Sequence, residues 1–416
     1  MIKVDSVIEK ELMNKMTRNK TEHHRRHYRA GGNLPWCIKK LKTILLIQCL
    51  LFSAIAVFAQ KKTYWKNGII KDEFIYDTAP FPQCHAATIA ETPKGLVAAF
   101  FGGTKERNPD VEIRVCRLVN GSWTAPVSVA NGIQNDTLRY PTWNPVLYQV
   151  PHGDLLLFYK IGPKPSEWKG WMLRSKDNGV TWSKPEALPD GFLGPIKDKP
   201  VMLKDGSLLC PSSTEGSYTG VHFEKFDVKT NRWTMMGAVD NNGFKSVIQP
   251  TIMFHGKDTL QALCRSKERA VLQTWSYDDG KTWTPLTKTD LPNNNSGIDA
   301  VTLQDGRQLL VYNHVLPPAG SSKGARTPLN VAVSNDGVNW YAALIVEDSP
   351  IGQYSYPSVI QSKNGMVQIV YTWRRTRIKY VEVDPSKFRL IKIENGVWPQ
   401  LKGYVAPVIG SNADQE

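Results

Sequence analysis

Beyond residue 60 the apolar residues come in short runs rich in β-branched and aromatic side chains, each closed off by Gly, Asn, Asp or Pro, and helical spacing is scarce. This pattern predicts strands joined by tight turns. The runs also repeat in register. A polar residue, then Pro or Ala, then an apolar stretch ending at a Gly turn recurs as "HAATIAETPKG" from His85, "NPVLYQVPHG" from Asn144 and "KPVMLKDG" from Lys199. It continues as "QPTIMFHG" from Gln249, "DAVTLQDG" from Asp299 and "YPSVIQSKNG" from Tyr356. A second apolar run follows each Gly turn, and a third leads into a turn that carries a tryptophan.

The tryptophan turns end at Trp123, Trp182, Trp233, Trp283 and Trp340, with Phe388 in the equivalent place, at intervals of 48 to 59 residues. That period suits four short strands per unit, so the chain is predicted to be all-β, a six-bladed β-propeller of four-stranded antiparallel blades. The propeller is expected over residues 81–405, with 406–416 as a tail. Within residues 60–80, "DEFIYD" (Asp72 to Asp77) is expected to supply the outer strand of the last blade and close the ring, which removes exposed edges. The turns "SKDNGVTW" (Ser175 to Trp182) and "SYDDGKTW" (Ser276 to Trp283) read as scaffold: Ser and Asp bond local amides, Gly accepts a left-handed backbone and Trp packs beneath. A calcium loop would need several spaced carboxylates and a closing Glu, which are missing. The turns ending at Trp123, Trp233 and Trp340 read as degraded copies.

The first 59 residues differ from the rest. Lys39-Lys40-Leu41-Lys42 leads into the apolar run Thr43 to Phe58 and then Ala59-Gln60, the pattern of a leader and signal peptide cut near Ala59. The mature chain is then expected to be secreted or periplasmic, with no membrane attachment. The full chain of 416 residues carries a net charge of +14, but residues 1–59 hold 11 of the basic and 4 of the acidic residues, which leaves +7. No basic helix or RNA-binding signature accompanies that remainder, so nucleic acid is not the expected partner. Cys84, Cys116, Cys210 and Cys264 fall on strands that should not be neighbours in bonding geometry, and free buried thiols are expected.

In a propeller the first strand of each blade lines the axis, so the matched positions His85, Asn144, Lys199, Gln249, Asp299 and Tyr356 predict a polar ring at one mouth. Solvated strand ends are the plain alternative. Second-strand ends and nearby loops add Lys160, Lys164, Glu215, Arg265, His314 and Arg374, and third-strand starts add Arg326 and Arg377. A mouth so rich in cations suits a carboxylate, and the substrate or partner is expected to be an acidic oligosaccharide or polysaccharide. Trp143, Trp168, Trp171 and Tyr354 in the same loops could stack on a sugar ring.

The two intact Ser-x-Asp-x-Gly-x-Thr-Trp turns, with degraded copies ending at Trp123, Trp233 and Trp340, resemble the Asp-boxes of the sialidase-like (BNR repeat) propeller family, a resemblance that covers nearly the whole mature chain. Members of that family hold the substrate carboxylate with three arginines, use a Tyr nucleophile activated by a Glu, and protonate the leaving group with an Asp. On that resemblance Arg265 in "LCRS" and Arg326 in "ARTPLNVAVS" are carboxylate ligands, and Tyr354 in "YSYPSVI" is the nucleophile with Tyr356 competing. Asp110 in "NPDVEIR" is the acid. Two family residues are missing: Pro82-Gln83-Cys84-His85 stands where the first arginine is expected, and Gln249 stands where the Glu is expected. Gln cannot take a proton, so the usual activation is lost.

Two mechanisms on an acidic sugar, sialate-like or uronate, stay open. One is exo-glycosidase cleavage, with Tyr354 or Asp299 doing covalent or base work and Asp110 protonating the departing oxygen. The other is β-elimination from a uronate, with His85 or Tyr356 moving the proton beside a carboxylate neutralised by Arg265 and Arg326. Gln249, Lys199, Asn144, Arg374, Arg377, Lys160 and His314 complete the expected binding set. A non-catalytic glycan-binding propeller is the third reading. No cofactor and no metal are expected, and the protein is expected to be a monomer.

Overall fold

A computed structural model describes residues 64–402 apart from Tyr218, together with 404–405. The expected leader (1–59) and tail (406–416) lie outside the described residues. Six antiparallel sheets follow one another along the chain. Their first strands are Gln83–Thr92, Thr142–Gln149, Val201–Met202, Val247–Phe254, Asp299–Thr302 and Tyr354–Gln361, which begin blades 1 to 6 in that order. Each first strand pairs with the second, and the second with the third, as hairpin-connected neighbours.

The apolar alternation on both faces of these strands is used up between blades. Six buried clusters fill the six interfaces, from Leu157 and Leu173 packed on Ala99 and Val115 between blades 2 and 1, round to Val370, Ile378 and Tyr380 packed on Ile89 and Phe100 between blades 6 and 1. The last interface makes the arrangement a closed ring. The outer strand of blade 6 is Ile69–Phe74, which pairs with Arg377–Val383, so chain that precedes blade 1 completes blade 6. After blade 6 the chain returns to blade 5, where Ile391–Lys392 adds a fifth strand beside Trp340–Glu347.

The Asp-box turns fasten neighbouring blades. In the turn after Ala270–Ser276 of blade 4, Asp278 accepts from Ser276 Oγ (2.8 Å), the amides of Lys281 (3.0 Å) and Thr282 (2.9 Å), and Thr282 Oγ1 (2.6 Å). Gly280 has φ +81°, and a Cβ there would come within 2.7 Å of Leu209 on blade 3, so glycine is required by both conformation and space. Trp283 stacks on Phe223 of blade 3 with ring centroids 4.0 Å apart. The turn ending at Trp340 proves intact rather than degraded. Ser334 and Asp336 make the same bonds in a loop one residue shorter, and the Asn339 amide (2.7 Å to Asp336 Oδ2) replaces the Thr hydroxyl. The four cysteines Cys84, Cys116, Cys210 and Cys264 are buried and unbridged.

Candidate active site

Because neighbouring strands run antiparallel, the starts of the first and third strands and the ends of the second strands share one face of the ring. At that face the first strands of blades 1, 2, 4 and 6 are bulged. The bulge residues take left-handed backbone: Ala86 (φ 56°), Asn144 (24°), Gln249 (54°) and Tyr356 (53°). A bulge re-aims side chains at a rim, and a positive φ on Gln or Tyr costs about 1–3 kcal/mol, a strain typical of functional positions. The structural match to Asn144, Gln249 and Tyr356 is Ala86, so His85 lies one residue before the ring position. The repeat of polar residue followed by Pro or Ala misaligned blade 1, because Ala86-Ala87 satisfies the small-residue signal one step later than the polar signal does.

That offset brings His85 against Tyr356, with ring centroids 4.1 Å apart. Its Nδ1 bonds Thr372 Oγ1 at 3.0 Å. Burial, followed by the positive charges of Arg375, Arg326, Arg265 and Lys197, holds the imidazole well below its usual pKa, so it is neutral at pH 7. Arg265 donates to Tyr356 Oη (2.5 Å) and to Gln249 Oε1 (3.1 Å), and its Nε donates to Asn295 Oδ1 (3.1 Å). Gln249 Nε2 lies 3.5 Å from Tyr356 Oη. The guanidinium carbons of Arg265 and Arg326 stand 5.5 and 5.8 Å from the Tyr356 ring centroid. Arg265, Arg326, Lys323, Asn295 and Gln353 line a pocket of about 180 Å³ with no acidic side chain in its wall.

Two members of this cluster were not legible in the sequence. Arg375 lies in the blade 6 turn between Arg374 and Arg377; its Nε donates to Gln353 Oε1 (3.1 Å) and its guanidinium pairs with Glu106. In "YTWRRTR" only the turn geometry, with Arg374 and Arg375 both near φ 53°, decides which arginine points inward. Glu106 sits on the blade 1 loop that also carries Asp110, the expected acid. Asp110 instead closes that loop, accepting from Thr104 N (2.8 Å) and Thr104 Oγ1 (2.9 Å).

The remaining predicted residues sit elsewhere. Tyr354 is fully buried between blades 5 and 6 with its hydroxyl donated to Ile351 O (2.7 Å), because the bulge between Ser355 and Ser358 breaks the alternation that would otherwise send residues two apart to the same side. Asp299 is buried in the axial channel, where it binds Lys199 (3.0 Å to each carboxylate oxygen), Thr251 Oγ1 (2.8 Å) and the amides of Ala300 (2.9 Å) and Val359 (2.8 Å). It ties four blades together, and Lys199 is consumed with it. Neighbouring Lys197 is likewise engaged, by Asp198 (2.6 Å) and the carbonyls of Ile298 and Pro357 (2.8 Å each). Lys160 is buried on the carbonyls of Pro195 and Ile196, where burial lowers it to about 7. His314 lies beneath the returning C-terminal segment, its Nε2 2.9 Å from Gly396 O, and burial lowers it to about 4. Arg377 stacks on Phe74 of the closing strand (3.6 Å), Arg374 lies over Trp373 (5.0 Å), and Lys164 pairs with Glu167 (2.6 Å) at the surface. Trp143 is buried with its Nε1 on Gly162 O (2.8 Å).

A ring of six blades, three of them closed by bonded Asp-box turns, with arginines gathered around a tyrosine at its mouth defines a sialidase-like propeller. The chain belongs to the BNR repeat-like domain family, whose pattern matches residues 94–369. Similar solved structures include a protein of unknown function from Dyadobacter fermentans, with 18% identity and a TM-score of 0.61 over 76% of this chain and 99% of that one. The NanB sialidase of Streptococcus pneumoniae is similar at 12% identity and TM-score 0.61, covering 76% of this chain and 71% of its own. The intramolecular trans-sialidase of Ruminococcus gnavus is similar at 12% identity and TM-score 0.60, covering 80% and 99%. At these identities the likeness is one of fold. No curated protein matches the sequence.

Proposed function

We propose that the protein is an exported, monomeric exo-glycosidase that removes a terminal carboxylated sugar from an acidic glycan, without a cofactor. The observation that carries this reading is the Tyr356 hydroxyl held by Arg265 and Gln249 beside Arg326. Fixed donors aimed at one phenolic oxygen stabilise negative charge on it as it attacks an anomeric carbon. The neutral imidazole of His85, whose ring centroid lies 4.1 Å from that of Tyr356, would accept the phenolic proton that Gln249 cannot. Arg265, Arg326 and Arg375 would hold the substrate carboxylate, with Glu106 keeping Arg375 in place. Export is supported by the basic and apolar leader pattern ending at Ala59.

A second reading, β-elimination at a uronate, is favoured by one specific pair: His85 against Tyr356, with Gln249 where a carboxylate would serve a glycosidase. Arginines that neutralise the uronate carboxylate would make its neighbouring C–H acidic enough for Tyr356 to take that proton. Incubating the protein with sialyl and uronyl oligosaccharides and resolving the products by mass and ultraviolet absorbance tests both. Hydrolysis adds the elements of water to the fragments; elimination leaves an unsaturated uronate. Unaltered glycans across the whole panel would refute both and leave a glycan-binding propeller.

A further inference from the structure

A second cleft opens on the same face, across the ring from the arginines. Its walls are the blade 2 loop around Trp168, the connection from blade 2 to blade 3 around Leu188 and Phe192, and the end of the Leu208–Thr214 strand with Glu215. We propose that this cleft binds the leaving-group sugar and that Glu215, at its inner end, gives the departing oxygen its proton. The proposal deepens the glycosidase reading and rests on it.

The cleft, at about 340 Å³, is of ligand size and is walled by aromatic and aliphatic faces with polar edges. Its one close charge pair, Lys169 with Asp190 at 3.8 Å, cancels, which suits an uncharged sugar ring as well as the arginine pocket suits a charged one. The wall is anchored from behind. Buried Glu224 accepts from the amides of Leu193 (3.0 Å) and Gly194 (2.7 Å), while Lys160 donates to the next two carbonyls. A subsite held this way needs little ordering when it is filled.

Glu215 stands between the two pockets. Ser213 Oγ accepts from Gln249 N at 3.2 Å, so the end of the blade 3 strand abuts blade 4, and Glu215 follows just past that end with its carboxyl within electrostatic reach of Arg265. The adjoining Gly216 leans on Ser166 of the cleft wall, where a Cβ would come within 3.0 Å. Burial raises the Glu215 carboxyl, and Arg265 and Lys267 only partly oppose this, so the group keeps its proton to higher pH than an ordinary glutamate. Asp110 offers no comparable placement, since both its oxygens are engaged by Thr104. As Tyr356 Oη bonds to the anomeric carbon its proton passes to the His85 imidazole, and the electron pair of the breaking C–O bond stays on the departing oxygen, which takes the Glu215 proton. Water then attacks the glycosyl-tyrosine and gives its proton to the Glu215 carboxylate, and the phenolate leaves and recovers its proton from the His85 imidazolium.

The test compares Glu215→Gln, Asp110→Asn and the unaltered protein on two substrates with the same terminal acidic sugar: a nitrophenyl glycoside, whose leaving group needs no proton, and a disaccharide, whose leaving group does. For Glu215→Gln, kcat/KM on the disaccharide should fall about 10²–10⁴-fold while the aryl glycoside falls far less, because general acid assistance is lost only where it is needed. Asp110→Asn should lower the two in parallel. Phe192→Ala should raise KM for the disaccharide but not for a third substrate, a methyl glycoside of the same sugar, whose methyl group barely enters the cleft. An equal loss on both substrates in Glu215→Gln, or the split appearing in Asp110→Asn, overturns the assignment of Glu215 alone. An unaltered protein that cleaves neither substrate overturns the glycosidase reading, and this proposal with it.

Discussion

Asp299→Ala would remove the carboxylate on which blades 3, 4, 5 and 6 converge, and the structure says what each partner loses. The Val359 amide, bonded to Asp299 at 2.8 Å, is left without that acceptor, and Lys199 keeps only the Ala300 carbonyl at 2.8 Å. Thr251 Oγ1 retains its bond from the Ala300 amide (3.0 Å), so it loses least. A buried amide without a partner costs about 1–3 kcal/mol, and the part-buried Lys199 ammonium, its side chain 15% exposed, loses its counter-charge at a cost near the lower end of the ~3–5 kcal/mol of a fully buried pair. Because Lys199 and Asp299 belong to one network these overlap, and a total of about 4–6 kcal/mol is expected, a large share of the ~5–15 kcal/mol that holds a typical domain. Thermal and urea denaturation followed by circular dichroism read it directly, as a melting point lowered by about 6–8 °C, given an unfolding entropy of about 2.1 cal/mol/K for each of about 340 residues. The double variant Asp299→Leu with Lys199→Met, which removes both charges, should recover part of the loss. If Asp299→Ala melts within a few degrees of the unaltered protein yet has lost all activity, the carboxylate is catalytic and the hub account is wrong.

The two tyrosines of "YSYP" should separate cleanly. Tyr356→Phe should abolish turnover with the melting point nearly unchanged, whereas Tyr354→Phe should keep its activity and lose about 1 kcal/mol with its bond to Ile351; the reverse pattern in activity assays and melts would restore Tyr354 as the reacting group. Burial lowers Lys160 to about 7 in the folded protein, while the unfolded chain holds that proton to about 10.4. Between those values the unfolded state binds more protons, so the Lys160 contribution to stability rises with pH, at up to about 1.4 kcal/mol per unit. Denaturation of Lys160→Met and the unaltered protein at pH 7 and pH 9.5 should show that difference, and identical pH slopes would disprove it.

Much of the architecture was legible because its causes are local. Strand alternation, Gly turns and the Ser-x-Asp-x-Gly pattern act within about ten residues of chain, so the repeat could be counted directly along it. Even there, the shortened box at Ser334 to Trp340 looked degraded on spacing alone, although an Asn amide restores its bonds. Site residues were harder to read. Arg265, Arg326, Gln249 and Tyr356 do meet, but Lys199, Asp299, Lys160 and His314 satisfy buried groups instead, and Arg375, Glu106 and Lys197 carried no signal of their own.

The sequence by itself determined the number of blades, the place of each turn, and which polar residue types stand at the strand ends. The tertiary structure alone decided which of two neighbouring side chains faces the mouth: Tyr356 rather than Tyr354, and Arg375 rather than Arg374 or Arg377. The reason is geometric. Strand alternation sends adjacent residues to opposite sides, a bulge or two-residue turn shifts that alternation by one, and the partners that fix the outcome, such as Arg265 for Tyr356 or Glu106 for Arg375, lie on other blades far away in the chain.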